Sequence, residues 1–532
     1  MVTDAGADDR SLLDAMRRHL RDRPDRPAYR WGRRTWTFSD VERETNQIAN
    51  ALTAQGIARG HRIALLTRHH VPCIELTIAA LKVGAVCMPV NWRLAPPEVE
   101  YIVDHGQARL LLVDESFATP FLPGGSVRMP PGCKVICTDA PLADAPAFEV
   151  WYRGASDAFD AMRAEHSDDA LQLYSSGTTG LPKGVVLTHG GLLSTSRVVS
   201  SAWHCGPEHV IGNPLPTFHV AGMTMLLLTL YTGGESCTYS EFDPSNFIAA
   251  IGEQRITHAF LVPAMMLFML QSPAAQRGDF ASLQLIAYGG SPISDAVLQQ
   301  AMATFRCDFL QVYGLTELSG PATFLTQEDH RCAAHTPALL RSAGRPAPPC
   351  ALRIVDPVTG RDLPEGQIGE IWLESIRNMK EYWRDPEATQ RAYPEGRNPR
   401  GGWFRTGDGG YLKDGYLYVH DRIKDMVISG GENIYPAEIE NLLMNHPAVA
   451  DGAVIGVPDA TWGEAVKACV VLRPGARATE REIIDWMRER IAHFKCPRSV
   501  DFVEVLPRNP SGKILKRVLR EPYWKGQSRA VA

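Results

Sequence analysis

Between residues 62 and 113 short apolar runs alternate with helix-like ones, and this alternation limits the possible folds more than any other feature. "RIALLT" (62–67) reads as a buried strand, "CIELTIAALKVG" (73–84) as a helix closed by Gly84, and "AVCMPV" (85–90) as a second strand. Pro97 opens another helix, Gly106 ends it, and "RLLLV" (109–113) is strand again. Strands that alternate with helices need crossover connections, so they predict a parallel α/β sheet. Just upstream, "TWTFSDVERETNQIANAL" predicts a helix capped by Ser39 and Glu42, with Val41, Ile48 and Leu52 near helical spacing.

The pattern changes near residue 423. "GYLYVHDR" (415–422) reads as a strand, and "ISGGENIYPAEIE" (428–440) as a glycine loop that enters a helix with Pro436 in its first turn. Further on, "AVIGV", "AVKACVVL" and "SVDFVEV" read as strands. Thr479 and Glu482 cap a helix whose Ile483, Ile484, Met487 and Ile491 share a face. These runs predict a small α+β domain over 424–532 behind a large α/β domain over 1–423. At 532 residues the chain is too long for a single ordinary core.

Composition removes several classes of function. A net charge of −5 argues against a nucleic-acid protein held by a broad basic surface. The 11 cysteines are scattered, the closest pair being Cys133 and Cys137. With no CxxC pair, structural zinc is disfavoured, and a dispersed, odd set fits reduced thiols in a cytoplasm. The acidic start "MVTDAGADDR" does not read as a signal peptide. The apolar run "VAGMTMLLLTLY" (220–231) is shorter than the ~20 residues that span a bilayer, and Pro263 breaks "HAFLVPAMMLFML" (258–270). Both read as core or pocket wall. No GxSxG elbow supports a hydrolase.

One stretch carries a chemical signal. "LYSSGTTGLPKGVVLTH" (173–189) crowds hydroxyls, glycines and Lys183 ahead of an apolar strand. Glycines let backbone N–H groups approach a polyphosphate, hydroxyls donate to it and lysine offsets its charge. The spacing is not that of a P-loop, in which lysine follows glycine and precedes Ser or Thr. Taken alone, such a run also marks a surface turn.

Four further stretches fall in order behind it: "VYGLTE" (312–317), "WFRTGD" (403–408), "DRIKDMVISGGENIYPAEIE" (421–440) and "LPRNPSGKILKR" (506–517). Together the five resemble the motifs of the adenylate-forming superfamily, which includes acyl-CoA synthetases, peptide-synthetase adenylation domains and firefly luciferase. The resemblance spans residues 173 to 517. It departs at Ser375 and Glu381, where glycine is usual, and at Thr217, where an apolar residue is common.

The resemblance implies a large α/β N-terminal domain, a small mobile α+β C-terminal domain and a reaction in two halves. A carboxylate attacks the α-phosphate of ATP to give acyl-adenylate and pyrophosphate; a thiol, CoA, then displaces AMP. Carried over motif by motif, Ser176, Gly177, Thr178, Thr179, Gly180 and Lys183 grip the β- and γ-phosphates. Tyr313 stacks on adenine, Thr316 meets the α-phosphate and Glu317 holds Mg²⁺. Gly289 and Gly290 pass close to adenine, Asp408 takes the ribose hydroxyls and Arg422 reaches ribose or phosphate. Lys513 bridges the attacking carboxylate and the α-phosphate. Lys424 is the hinge, and Gly430 and Gly431 line the CoA channel. His219 stands where acyl pocket and thiol channel meet, and Met265, Tyr288 and Gly320 join it in the acyl wall.

The expected activity is an ATP-dependent acid–CoA ligase acting on a fatty or aryl acid, since "VPAMMLFM" is apolar and no acidic side chain stands ready for an α-ammonium group. Loading of an acyl-carrier protein, a luciferase-like oxygenase and a non-catalytic nucleotide-binding homologue are the alternatives. A homodimer is plausible by family likeness.

Overall fold

The computed structural model describes residues 9–68, 70–175, 181–332, 337–422, 425–429, 432–459, 461–508 and 514–525. Two twisted sheets form the large N-terminal domain. The first has seven strands, in the order Glu381–Tyr382, Lys183–Thr188, Asp169–Ser175, Val86–Pro89, Arg62–Leu66, Ala108–Val113 and Lys134–Cys137. The second has nine, in the order Arg345–Pro346, Gly320–Leu325, Asp308–Leu315, Leu285–Gly289, His258–Leu261, Val210–Asn213, Glu235–Thr238, Pro27–Trp31 and Arg34–Thr37. Their interiors are parallel, as the alternation predicts. Antiparallel strands close the edges, Lys183–Thr188 and Glu381–Tyr382 in the first sheet and Gly320–Leu325 in the second.

Helices are sandwiched between the two sheets. His70–Val83 is buried almost throughout its length, and its apolar residues run all round rather than along one stripe. A helix covered on every side has no polar face to keep. The core around it joins Tyr29 from the nine-stranded sheet to Leu65, Leu173 and Val185 from the seven-stranded one, with Leu226 from the helix Val220–Thr232.

The helix Phe38–Ala54 starts earlier than Ser39 and Glu42 suggest. Its cap is Thr37, whose hydroxyl accepts from the Asp40 amide at 3.1 Å while the Asp40 carboxylate accepts from the Thr37 amide at 3.0 Å. The strand Arg34–Thr37 ends on the capping residue, so the tertiary fold picks the first of two overlapping signals.

A four-stranded antiparallel sheet, in the order Ala351–Val355, Gly369–Glu374, Trp403–Lys413 and Tyr416–Arg422, completes this part of the chain. The small C-terminal domain has its own sheet, Glu432–Ile434, Val427–Ser429, Gly463–Leu472 and Val449–Asp459, with Ser499–Phe502 parallel to Gly463–Leu472. The helices Pro436–Leu443 and Glu480–Arg488 cover it, burying Ile439, Leu443, Ile483 and Met487. The Thr479–Glu482 capping box is present. Ile491 lies beyond the helix end, although it still packs on the same core. The division at 423/424 falls outside the described residues; Tyr416–Arg422 belongs to one sheet and Val427–Ser429 to the next. Among the described residues no helix is long and apolar enough to cross a membrane.

Candidate active site

The edge of the seven-stranded sheet and the strand ends of the nine-stranded one converge on a single turn. Asp169–Ser175 and Lys183–Thr188 pair antiparallel, with Ser175 opposite Lys183. Residues 176–180, which hold Ser176, Gly177, Thr178, Thr179 and Gly180, lie outside the described residues, as do Lys424, Gly430, Gly431 and Lys513. Facing Ser175 is the single 3-10 turn Thr316–Leu318, which follows the strand Asp308–Leu315. The Glu317 carboxylate points back across the gap. Its Oε1 accepts from the Ser175 hydroxyl at 3.4 Å and from the Tyr382 hydroxyl at 3.2 Å.

The segment 375–383 braces this turn from behind. The Met379 amide donates to the Glu317 carbonyl at 2.6 Å, and the Ser319 hydroxyl donates to the Arg377 carbonyl at 2.9 Å. The Arg377 side chain is fully buried and gives its guanidinium N–H groups to the carbonyls of Pro321 and Ala347. Burial pushes its pKa down, because these carbonyls carry no countercharge. The Ser375 hydroxyl accepts from the Arg377 amide at 3.2 Å and so makes the local turn itself, while Glu381 takes a place in the edge strand. Tyr382 and Arg377 are absent from the sequence-based set of site residues.

A second polar pair lies on the neighbouring strands. The Tyr313 hydroxyl donates to Asp408 Oδ2 at 2.8 Å. Asp408 is itself placed by its surroundings: its amide donates to the Thr406 hydroxyl at 3.0 Å, and buried Glu370 accepts from the Gly407 amide at 3.2 Å and from Arg405 Nε at 2.9 Å. Arg422 stands opposite Asp408 in the strand register. Thus Lys183, Tyr313, Asp408 and the backbone of Arg422 ride on strands, and Thr316 and Glu317 on the turn that follows the strand of Tyr313.

Gly289 ends the strand next to Asp308–Leu315, where a Cβ would stand 2.2 Å from the Val312 carbonyl oxygen. Only glycine fits that approach. Gly290 follows at φ +83°, a left-handed conformation that a side chain would strain. Gly320 takes φ +132° directly after the turn.

The residues expected in the acyl wall fall in two neighbouring apolar clusters and beside a helix start. His219 precedes the helix Val220–Thr232 and packs its ring against Phe218 at 4.6 Å between centroids. Its Nε2 is buried without a hydrogen-bond partner among the described residues, and burial, reinforced by Arg93, pushes its pKa down to about 4. Met265 and Val262 are half-buried against the apolar cluster of Leu215, Met225, Phe260 and Ala287. Tyr288 belongs to a second apolar cluster, against which Met265 also packs. Strand alternation puts Ala287 in the first cluster and turns Tyr288 to the opposite face, where it packs with Ile286, Phe305 and Phe309. Its hydroxyl is spent on His330 Nε2 at 2.9 Å. Thr217, polar where an apolar residue is common, is buried near Cys73, whose thiol burial pushes up to about 12.

Comparison with known proteins identifies the family and the fold. The AMP-binding enzyme family model matches residues 16–383, and the AMP-binding enzyme C-terminal domain model matches residues 438–513. The chain is 37% identical over 531 residues, 98% of each protein, to the fatty acid–[acyl-carrier-protein] ligase ScoC of Streptomyces coeruleorubidus. It is 37% identical over 490 residues to the long-chain-fatty-acid–CoA ligase FadD13 of Mycobacterium tuberculosis strain H37Rv, covering 92% of this chain and 93% of the relative. The crystal structure of ATP-bound MatB from Rhodopseudomonas palustris superposes with a TM-score of 0.86 at 30% identity, over 96% of this chain and 99% of that one. The chain belongs to the AMP-binding enzyme family and is an AMP-forming acid–thiol ligase of the acyl-CoA synthetase type.

Proposed function

We propose that the chain activates a fatty or aryl carboxylic acid with ATP and transfers the acyl group to CoA. The observation that carries this reading is the convergence of Ser175, Glu317 and Tyr382 on one turn, beside the Tyr313–Asp408 pair. A nucleotide laid across these strand ends would meet Tyr313 and Asp408 with adenine and ribose, and Lys183 with its phosphates. The segment 176–180 belongs to the phosphate grip in this reading.

Glu317 fits Mg²⁺. A hard cation of this kind takes one or two carboxylates and fills its shell with phosphate oxygens and water. Among the described residues no three His, Cys, Asp or Glu side chains form a metal cage, which suits an ion that brings its other ligands with the nucleotide. When bound, the ion would neutralise phosphate charge. The two hydroxyls on Oε1 fix the direction of the carboxylate and leave Oε2 to a cation.

The first half-reaction joins two anions. The substrate carboxylate is already ionised at pH 7, so no general base is required. Its oxygen forms a bond to the α-phosphorus as the bond to pyrophosphate breaks. Thr316 and Lys513 are assigned to the charge that gathers there. In the second half, the thiol sulfur bonds the acyl carbon, its proton is lost and AMP leaves. Lys424 is assigned to the pivot of the C-terminal domain between the halves, and Gly430 and Gly431 to the thiol channel. His219, neutral at assay pH, lines the junction with Met265 and Gly320. The apolar side chains around Met265 favour an acid without an ammonium group.

A second reading, transfer to an acyl-carrier protein, is favoured by the likeness to ScoC. Both are tested by measuring AMP formation over a panel of fatty, benzoic and cinnamic acids, with CoA, with an acyl-carrier protein, and with neither. Acid-dependent pyrophosphate release with turnover on CoA supports the proposal. Turnover on the carrier alone moves the assignment to the second reading. No pyrophosphate release with any of the acids counts against both.

A further inference from the structure

Tyr382 stands between the two charged side chains that the nucleotide would need. Its two-residue strand pairs with Lys183–Thr188, Tyr382 opposite Val185, so its position is tied to that of Lys183. Backbone bonds hold the same segment on both sides: the Lys380 amide donates to Val186 O at 2.8 Å, the Trp383 amide to Gly184 O at 2.7 Å, and the Tyr382 amide to the Thr389 hydroxyl at 3.0 Å. From that fixed place the Tyr382 hydroxyl donates to Glu317 Oε1 at 3.2 Å, while Lys183 Nζ lies 4.9 Å from the centroid of the Tyr382 ring.

Lys183 and Glu317 therefore share a neighbour, and among the described residues they form no ion pair with each other. A lysine and a glutamate facing the same small volume attract one another. Once paired, they would have to be separated before phosphate and cation could bind. The tyrosine gives each charge a weaker partner in a different place, the ring face for the ammonium and the hydroxyl for the carboxylate. We propose that Tyr382 is a positioning residue that keeps Lys183 and Glu317 apart and aimed, Lys183 toward phosphate and Glu317 toward the cation. This inference rests on the nucleotide reading of the site above.

The test measures binding rather than turnover, by titration calorimetry with the α,β-methylene analogue of ATP, with and without Mg²⁺. Tyr382→Phe keeps the ring and removes the hydroxyl. It should weaken the magnesium complex about tenfold and the metal-free analogue less than threefold. Tyr382→Leu removes both partners and should weaken the metal-free analogue as well, by about threefold or more. Glu317→Gln separates the two levels of the reading. If it binds the magnesium complex like the wild type, the assignment of Glu317 to the cation fails. If it loses affinity while Tyr382→Phe does not, only the role of Tyr382 falls. The double variant Glu317→Gln/Tyr382→Phe should bind like Glu317→Gln alone, because the hydroxyl acts through that carboxylate. Additive losses in the double variant would show a general structural effect and overturn the proposal.

Discussion

The proposed nucleotide end and the proposed acyl end of this site are built in opposite ways. At the nucleotide end polar side chains are satisfied by one another: Tyr313 by Asp408, Glu317 by Ser175 and Tyr382, Ser319 by the Arg377 carbonyl. At the proposed acyl end apolar side chains such as Val262, Met265 and Phe260 pack together, and the buried His219 Nε2 has no hydrogen-bond partner among the described residues. Groups that hold one another in place are oriented before a ligand arrives, so little ordering is left to the binding step. An apolar wall selects by volume, and a methylene more or less changes affinity only modestly. The same chain can thus be strict about ATP and permissive about its acid.

The largest expected effect comes from the residue assigned to both ends at once. Lys513→Ala should slow adenylation about 10²–10³-fold, as does the loss of one donor to transition-state charge elsewhere. Supplied with pre-formed acyl-adenylate and CoA, the variant should form thioester at close to the wild-type rate. Equal loss in both halves would show that Lys513 does not belong to the first half alone.

Asp408→Ala confines the damage to the nucleotide end. It strips the ribose of its proposed acceptor and removes the bond that the Tyr313 hydroxyl makes to Asp408, so the KM for ATP should rise about tenfold or more. The KM for the acid should stay within twofold. A matching rise in both would mean that the two ends are coupled through the sheet and are not separate subsites.

How much of this could be read beforehand follows the same divide. Tyr313, Glu317 and Asp408 were legible as motif residues, and the fold sets Tyr313 against Asp408 and Glu317 against Ser175. Tyr382 was not legible. It lies on a strand of two residues, too short for any periodicity, and gains its meaning only by pairing with Lys183–Thr188. The face that Tyr288 takes was hidden for another reason. The strand Leu285–Gly289 is buried on both faces, so its sequence cannot say which face carries the pocket. Parity sent Ala287 to one face and Tyr288 to the other. The parallel interiors of both sheets followed from the strand–helix alternation. Their antiparallel edges, and the separate four-stranded sheet, depend on pairings between distant segments that local pattern does not encode.

Gly289→Ala probes the border between the ends. A methyl group there would meet the Val312 carbonyl at 2.2 Å, so the strands Leu285–Gly289 and Asp308–Leu315 must part. Overpacking of this kind costs about 1–3 kcal/mol. The thermal midpoint should fall, and the KM values for ATP and acid should rise together, since Tyr313 lies on one of these strands and Ala287, in the apolar cluster with Met265, on the other. A change confined to one substrate would place this border elsewhere.

The smallest effect is expected at His219, and its pH dependence carries the test. An exposed imidazole titrates near 6.5; burial holds this one down at about 4, with the Arg93 charge acting in the same direction. The folded state therefore favours the neutral ring. Its contribution to stability is full above pH 6.5 and is lost as pH falls toward 4, because the unfolded chain takes up the proton first. Two results follow. Between pH 6 and 8 the KM for the acid should show no inflection from this residue, since the ring stays neutral throughout. His219→Asn should raise the KM for the acid about three- to tenfold, the worth of one modest hydrogen bond, and move that for ATP by less than twofold. The thermal midpoint of His219→Asn should also fall less steeply than that of the wild type between pH 6.5 and 4.5. An inflection in the wild-type acid KM near pH 6.5 that disappears in His219→Asn would show that the ring titrates freely. The acyl end would then carry an ionisable group in place of a neutral one, and the contrast with the nucleotide end would have to be redrawn around a charge.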